Sequence, residues 1–213
     1  MNRDSSTIFF VSGIGTDVGK TVVAAILSEA LNAHYWKPIQ SGDLDHSDSM
    51  KVQGWTENVT VLEECYRLTK PLSPHTSARL DGVTITTQFP IPEVDGTLII
   101  EGAGGVLVPV NDRGNTISEI VAHWDIPAII VVKHYLGSIN HTLLTLEYLK
   151  TKGIRLVGLV VTGEAHEESE KIIETITGNK VNLHIPFAAQ VDAAFIRQQA
   201  LIHKEKIEQW LLG

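Results

Sequence analysis

Phe9-Phe10-Val11-Ser12-Gly13-Ile14-Gly15-Thr16-Asp17-Val18-Gly19-Lys20-Thr21 is the stretch on which the fold turns. An apolar run of β-type residues leads into a glycine-rich turn ending Gly-Lys-Thr, and a helical pattern continues from Val22 to Leu31. Strand, phosphate loop and helix in that order are what a phosphate-binding loop requires. Backbone N–H groups of the loop and of the helix N-terminus then point at phosphate oxygens. Lys20 reaches the terminal phosphates and Thr21 offers its hydroxyl to Mg²⁺. Residues 15–22 therefore imply a nucleoside triphosphate site.

The glycine spacing departs from the common form of such loops. Gly, four residues, then Gly-Lys-Thr would put a glycine at position 14. Ile14 stands there, with Gly13 one residue early and Gly15 one residue late. A glycine-rich turn in an unrelated α/β protein is the competing reading. It does not account for strand, helix and Gly-Lys-Thr all falling in place.

At 213 residues the chain predicts one domain, 1–213, with a sizeable core. Hydrophobic residues make up 43% and charged residues 20%, as in ordinary globular proteins. The formal net charge of −8 argues against nucleic-acid and anionic-membrane partners. A triphosphate site must then be a local positive spot, for which Lys20 and Lys37 are candidates. The single cysteine, Cys65, excludes an internal disulfide and a Cys-rich zinc site. The first apolar run begins at Ile8 and breaks at Ser12, so it does not read as a signal peptide. No apolar stretch approaches the ~20 residues of a membrane span. A cytoplasmic location is the expectation.

Short β-rich runs alternate with helical patterns along the chain. Strands are predicted at 7–12, 33–37, 97–100, 128–132, 156–161 and 181–185. Helices are predicted at 22–32, 117–124, 140–152, 167–177 and 193–212, two of them closed by Gly153 and Gly178. Residues 38–96 hold five prolines and read as irregular, with helix-like pieces near 48–54, 58–67 and 76–80. Near-continuous apolar strands separated by helices predict an α/β fold: a P-loop NTPase-like, mostly parallel sheet with helices on both faces. Ligands on such sheets sit at the carboxyl ends of the strands, so the residues there are the ones to inspect.

After the second strand comes Lys37-Pro38-Ile39-Gln40-Ser41-Gly42. Lys37, fixed by the following proline, either faces the phosphate loop or is a surface lysine. After strand 97–100 comes Glu101-Gly102-Ala103-Gly104-Gly105. A carboxylate directly after four apolar residues lies near the core and needs a partner such as a metal. The glycines let backbone approach a ligand; a strand-capping glutamate before a glycine turn is the alternative. Asp43, Asp45 and Asp48 are each placed to supply a second carboxylate, and spacing does not choose among them. Gly137-Ser138, before the helix at 140–152, fits an anion site or an ordinary helix cap. The nine histidines show no metal-ligand spacing; His75 and His141 read as structural, and the Trp and Tyr residues as core and boundary residues.

Five segments in one order resemble the dethiobiotin synthetase family. They are Gly-Thr-Asp-Val-Gly-Lys-Thr (15–21), Tyr-Trp-Lys-Pro-Ile-Gln-Ser-Gly (35–42), Ser-Pro-His (73–75), Glu-Gly-Ala-Gly-Gly (101–105) and Leu-Gly-Ser-Ile-Asn-His (136–141). The resemblance spans nearly the whole chain and is weakest at 50–70 and after 163. The displaced glycines of the loop are the family's own form.

The resemblance implies closure of a ureido ring on 7,8-diaminopelargonate with CO₂, ATP and Mg²⁺, giving dethiobiotin, ADP and phosphate. It implies Lys20 on the β- and γ-phosphates and Lys37 between carbamate and γ-phosphate. Thr21, Asp48 and Glu101 become the Mg²⁺ ligands; the family pattern, not the spacing, selects Asp48. Ser41 is implied to hydrogen-bond the carbamate. Gly137, Ser138, Ile139 and Asn140 are implied to bind the substrate carboxylate across a homodimer interface. Gly102, Ala103 and Gly104 line the nucleotide side, with Thr162, Gly163, Pro186, Phe187 and Ala188 near the base.

One departure stands out. Family members that read adenine place an Asn just after the strand matching 156–161, and here the run is Val161-Thr162-Gly163-Glu164. Weak base selectivity is the expectation. A ParA/MinD-type nucleotide switch is the alternative function. Its loop carries a lysine five residues before the loop lysine, where this chain has Gly15. A cobyrinate-amidase-like ligase would need a glutaminase domain with a nucleophilic cysteine, for which this chain is too short.

Overall fold

The structure is a computed structural model that describes residues 7–213. In chain order its elements are β1 (Thr7–Gly13), α1 (Lys20–Leu31), β2 (His34–Trp36), β3 (Ile39–Ser41), α2 (Asp48–Trp55), β4 (Thr60–Leu62), β5 (Tyr66–Leu68) and α3 (Pro74–Leu80). There follow β6 (Thr97–Gly105), α4 (Ile117–Trp124), β7 (Ala128–Lys133), α5 (Ser138–Thr151), β8 (Leu156–Thr162), α6 (Glu167–Thr177), β9 (Val181–Ile185) and α7 (Ala193–Leu211). Seven strands form one sheet in the order β4-β2-β6-β1-β7-β8-β9. Every strand pair described in it is parallel.

Parallel neighbours need crossover helices, and these cover both faces of the sheet. Alternation along β1 shows how. Phe10 joins Ile100, Ile130 and Val132 on one face, against Ile120 of α4, Leu149 of α5 and Ile173 of α6. Phe9 and Val11 join Ile99, Ile129 and Val131 on the other, against Val23 and Leu27 of α1, Val52 of α2 and Ile196 of α7. With both faces dry, the strands carry unbroken apolar runs, which is why they were readable from composition. The expected α/β architecture is the one observed.

Three local expectations change. The helix-like piece at 58–67 is two short strands, β4 and β5. Thr60, Val61 and Leu62 pair with β2, so a remote partner overrides the local pattern. Residues 39–41, read as irregular, form β3, which pairs with β5 in a separate two-stranded sheet. The helix after the phosphate loop starts at Lys20, and the one expected at 140–152 starts at Ser138. Phe89 packs edge-on against Trp36 and Trp124, and Trp124 donates its ring N–H to the Phe89 carbonyl at 2.8 Å. These contacts pin the 81–96 connection to the core. Among the described residues no helix is long and apolar enough to cross a membrane.

Candidate active site

The strand order brings the carboxyl ends of β1, β2 and β6 together at one edge, because β2, β6 and β1 are neighbours. The phosphate loop leaves β1 and enters α1 through Gly19. Asp17 (φ 56) and Gly19 (φ 88) both adopt left-handed backbone. Such alternation turns successive N–H groups toward one concave side, a cradle for anions. A side chain at Gly19 would be strained by φ and would crowd Thr162. Lys20 folds back across the loop and donates to the Gly15 carbonyl at 2.9 Å. Burial pushes its ammonium below the ordinary lysine range; Glu101 opposes that and Lys37 adds to it.

Lys37 is 5% exposed at the end of β2, so the surface alternative is excluded. Its ammonium donates to Glu101 Oε1 at 3.0 Å and to Asp48 Oδ2. Burial alone would lower its pKa, but the Glu101 and Asp48 carboxylates outweigh that and hold it above the usual value. Glu101, 1% exposed, accepts at Oε1 from the Thr21 hydroxyl at 2.9 Å and at Oε2 from the Tyr35 hydroxyl at 2.8 Å. The strand-capping alternative for Glu101 therefore gives way to a buried, fully engaged carboxylate. Burial and the Glu101 charge push the Tyr35 phenol well above its ordinary range, so it stays a donor.

Asp48, and neither Asp43 nor Asp45, meets Lys37; the other two are exposed. The reason is local. Ser47 caps α2 by accepting from the Met50 N–H, and this sets Asp48 in the first turn, where the helix dipole favours a carboxylate. Gln40 accepts from the Asp48 N–H at 3.3 Å and donates to the Gly42 carbonyl at 2.9 Å, tying α2 to the β3 turn. Burial raises the Asp48 carboxyl, but Lys37 and then Lys51 pull it below the usual range.

Thr21, Glu101 and Asp48 thus form one hydrogen-bonded chain through Lys37. One hydroxyl and two carboxylates are an oxygen-only set, which suits a hard divalent cation shared with phosphate oxygens. Among the described residues no trio of His, Cys, Asp and Glu is placed to hold a metal by itself.

Gly102 serves packing as well as the site: a Cβ there would meet the Phe10 ring at 2.5 Å. Ser12 donates to the Gly104 carbonyl at 3.4 Å, holding the end of β6 beside the loop. Ala103 also packs against the core. Ser41 Oγ is buried and has no hydrogen-bond partner among the described residues. At the start of α5, Gly137 (φ 105) provides no side-chain cap, and the Ser138 N–H goes to Tyr135. Helix geometry leaves the N–H groups of Ile139 and Asn140 as open donors there. Leu136, beside them, is fully exposed. His75 is held by Ser73 and Thr76, and His141 by Tyr135.

Where a base is expected, at the end of β8, Thr162 and Ile185 are register partners, and the Gly163 N–H donates to the Ile185 carbonyl at 2.8 Å. This brings Thr162 and Gly163 next to Pro186, Phe187 and Ala188, with Phe187 78% exposed. The Thr162 hydroxyl donates to the Val18 carbonyl of the phosphate loop. Sequence reasoning missed that link and the Tyr35–Glu101 bond. A hint of the second was available: Tyr35 precedes Lys37 by two, the spacing of one strand face.

A parallel sheet whose central strand feeds a phosphate loop places the chain among the P-loop nucleotide-dependent proteins, and an AAA-domain family profile matches residues 7–194. Relatives called ATP-dependent dethiobiotin synthetase BioD include one from Christiangramia forsetii, 42% identical over 90% of this chain and 93% of that protein. Another, from Cytophaga hutchinsonii, is 46% identical over 83% and 87%. The chain belongs to the ATP-dependent dethiobiotin synthetase family and is an enzyme of the ligase class. Solved structures with the same fold include MinD with Mg-ADP from Pyrococcus horikoshii (14% identity, TM-score 0.57, 97% of this chain and 93% of that one). A ParA family ATPase from Chlorobium tepidum has 13% identity and TM-score 0.54, with 98% of each chain covered. At that distance the likeness concerns fold alone.

Proposed function

We propose that the chain closes the ureido ring of dethiobiotin on 7,8-diaminopelargonate, using CO₂ and ATP and releasing ADP and phosphate. The observation that carries this reading is the buried Lys37 ammonium held between Asp48 and Glu101, next to Lys20 and the phosphate loop. Phosphoryl transfer asks the protein for positioning and charge neutralisation rather than covalent chemistry. One substrate amine takes up CO₂ as a carbamate. A carbamate oxygen attacks the γ-phosphorus and ADP leaves. The second amine then attacks the carbonyl of the carbamic–phosphoric anhydride and phosphate departs.

Lys20 binds the β- and γ-phosphates as they displace its Gly15 contact. Lys37 neutralises the charge that gathers between carbamate and γ-phosphate, where a fixed donor acts most strongly. Thr21, Asp48 and Glu101 would hold Mg²⁺, which supplies charge neutralisation on the phosphate oxygens. Ser41, with its unpartnered hydroxyl, takes a carbamate hydrogen bond. Residues 137–140 of a second copy of the chain bind the substrate carboxylate through open helix N–H groups. Sedimentation that finds only monomer under turnover conditions would remove this homodimer element. A cytoplasmic location goes with this reading.

The deciding experiment measures ADP release with diaminopelargonate and bicarbonate each present or omitted. Release that requires both, with dethiobiotin formed in equal amount, supports the reading. Slow hydrolysis indifferent to either would instead indicate a nucleotide switch.

A further inference from the structure

Glu101 is buried, and of its three donors among the described residues only Tyr35 has no place in the proposed chemistry. A carboxylate has about four acceptor sites. Thr21 and Lys37 share Oε1, at 2.9 and 3.0 Å, on the side of the phosphate loop. Among the described residues Tyr35 alone serves Oε2, at 2.8 Å. Its ring is fully buried within the core that joins α1 to the sheet, in the company of Val11, Val52 and Ile99.

The register explains the reach. Tyr35 pairs with Ile99, and Ile99 and Glu101 share a sheet face because they are two apart on β6. Two residues of strand span about 6.6 Å. A tyrosine leaning along the strand covers that distance, and its hydroxyl arrives under the carboxylate. Phenylalanine would fill the same core volume, so the hydroxyl is not needed for packing.

We propose that Tyr35 is a positioning residue that fixes the rotation of the Glu101 carboxylate, keeping Oε1 turned toward Thr21 and Lys37. It touches neither nucleotide nor substrate. The inference rests on the reading of Glu101 as an Mg²⁺ ligand. Groups that orient a metal ligand from behind commonly change metal affinity by about 10–100-fold when removed. Without the phenol, Oε2 lacks a buried donor and the carboxylate is free to turn it toward Lys37.

The test compares wild type with Tyr35→Phe in two titrations with Mg²⁺. One follows turnover; the other follows ADP affinity by calorimetry, with no turnover. The expected result is about a 10-fold higher Mg²⁺ requirement in both, with ADP affinity in EDTA unchanged. In a Glu101→Gln background, Tyr35→Phe adds no further shift. Val52→Ala, which loosens the same core without touching Glu101, leaves the Mg²⁺ titrations where they were. Superimposable titrations for wild type and Tyr35→Phe, or an equal shift from Val52→Ala, overturn the proposal. A wild type that ignores Mg²⁺ in calorimetry overturns the Glu101 reading first, and this inference with it. Should Tyr35→Phe not fold, ring-¹³C tyrosine resonances of the wild type decide, assigned by Phe substitutions at Tyr66, Tyr135 and Tyr148. The Tyr35 hydrogen bond is expected to persist when Mg²⁺ and ADP are added, and its loss overturns the proposal.

Discussion

Thr162, at the end of β8, donates its hydroxyl proton to the carbonyl oxygen of Val18 at 2.7 Å, bracing the phosphate loop across a separation of 144 residues. Thr162, where the family resemblance leads one to expect an Asn, is thus already engaged with the loop. Its methyl group packs beside Gly19, whose φ of 88 starts α1. Thr162 therefore contributes to the geometry of the phosphate loop.

Base selectivity follows from this. Sites built to hydrogen-bond a substrate group discriminate by up to ~10⁴–10⁵, whereas shape alone gives roughly 10–200-fold. Thr162 has no free hydroxyl proton to offer a base. GTP and CTP are expected to support turnover within about 100-fold of ATP in kcat/KM. Thr162→Val is expected to weaken every triphosphate alike, by about 1 kcal/mol or roughly 5-fold. Steady-state kinetics with each triphosphate at saturating diaminopelargonate checks both points. An ATP preference above ~10³ would mean that another group, near residues 186–188, reads the base.

Glu101→Gln keeps the shape of the side chain and removes its charge. The variant is expected to need about 10-fold more Mg²⁺ or worse, and to turn over more slowly at saturation. A Mg²⁺ titration of turnover reads this directly. A curve identical to wild type would return Glu101 to a structural role beneath Lys37.

Much of this was readable because parallel strands with two dry faces are apolar throughout and end at the ligand edge. Lys37 and Glu101 stood out as charges placed directly after such runs. Asp48 did not separate from Asp43 and Asp45, because the choice is made by the Ser47 cap and the Gln40 bond, which spacing cannot express. Residues 58–67 were misread as helical because β4 and β5 are three residues each and owe their form to β2 and β3. The Tyr35 hydroxyl was hidden for a related reason: alternation gives the face of a side chain, but only the β2–β6 register shows what it meets.

Stability toward acid should carry a contribution from α6. Burial raises the Glu170 carboxyl, but the His166 N–H and the His184 and His134 rings hold it below the ordinary glutamate range. A depressed folded-state pKa contributes stability above the unfolded value, and that contribution is lost as pH falls through the folded value. Urea midpoints of wild type should therefore decline, as pH falls below the ordinary glutamate range, more steeply than those of Glu170→Gln. Parallel declines in the two proteins would remove Glu170 from the acid response.

In the proposed reaction the Lys37 ammonium acts on developing charge rather than merely joining two carboxylates. The most direct measurement pairs turnover with nucleotide binding in Lys37→Ala, with folding verified by circular dichroism. Loss of one fixed donor to transition-state charge typically costs on the order of 10²–10³ in rate. A loss of that size in dethiobiotin formation is expected, while ADP still binds with near wild-type affinity. Turnover close to wild type in the folded variant would contradict it.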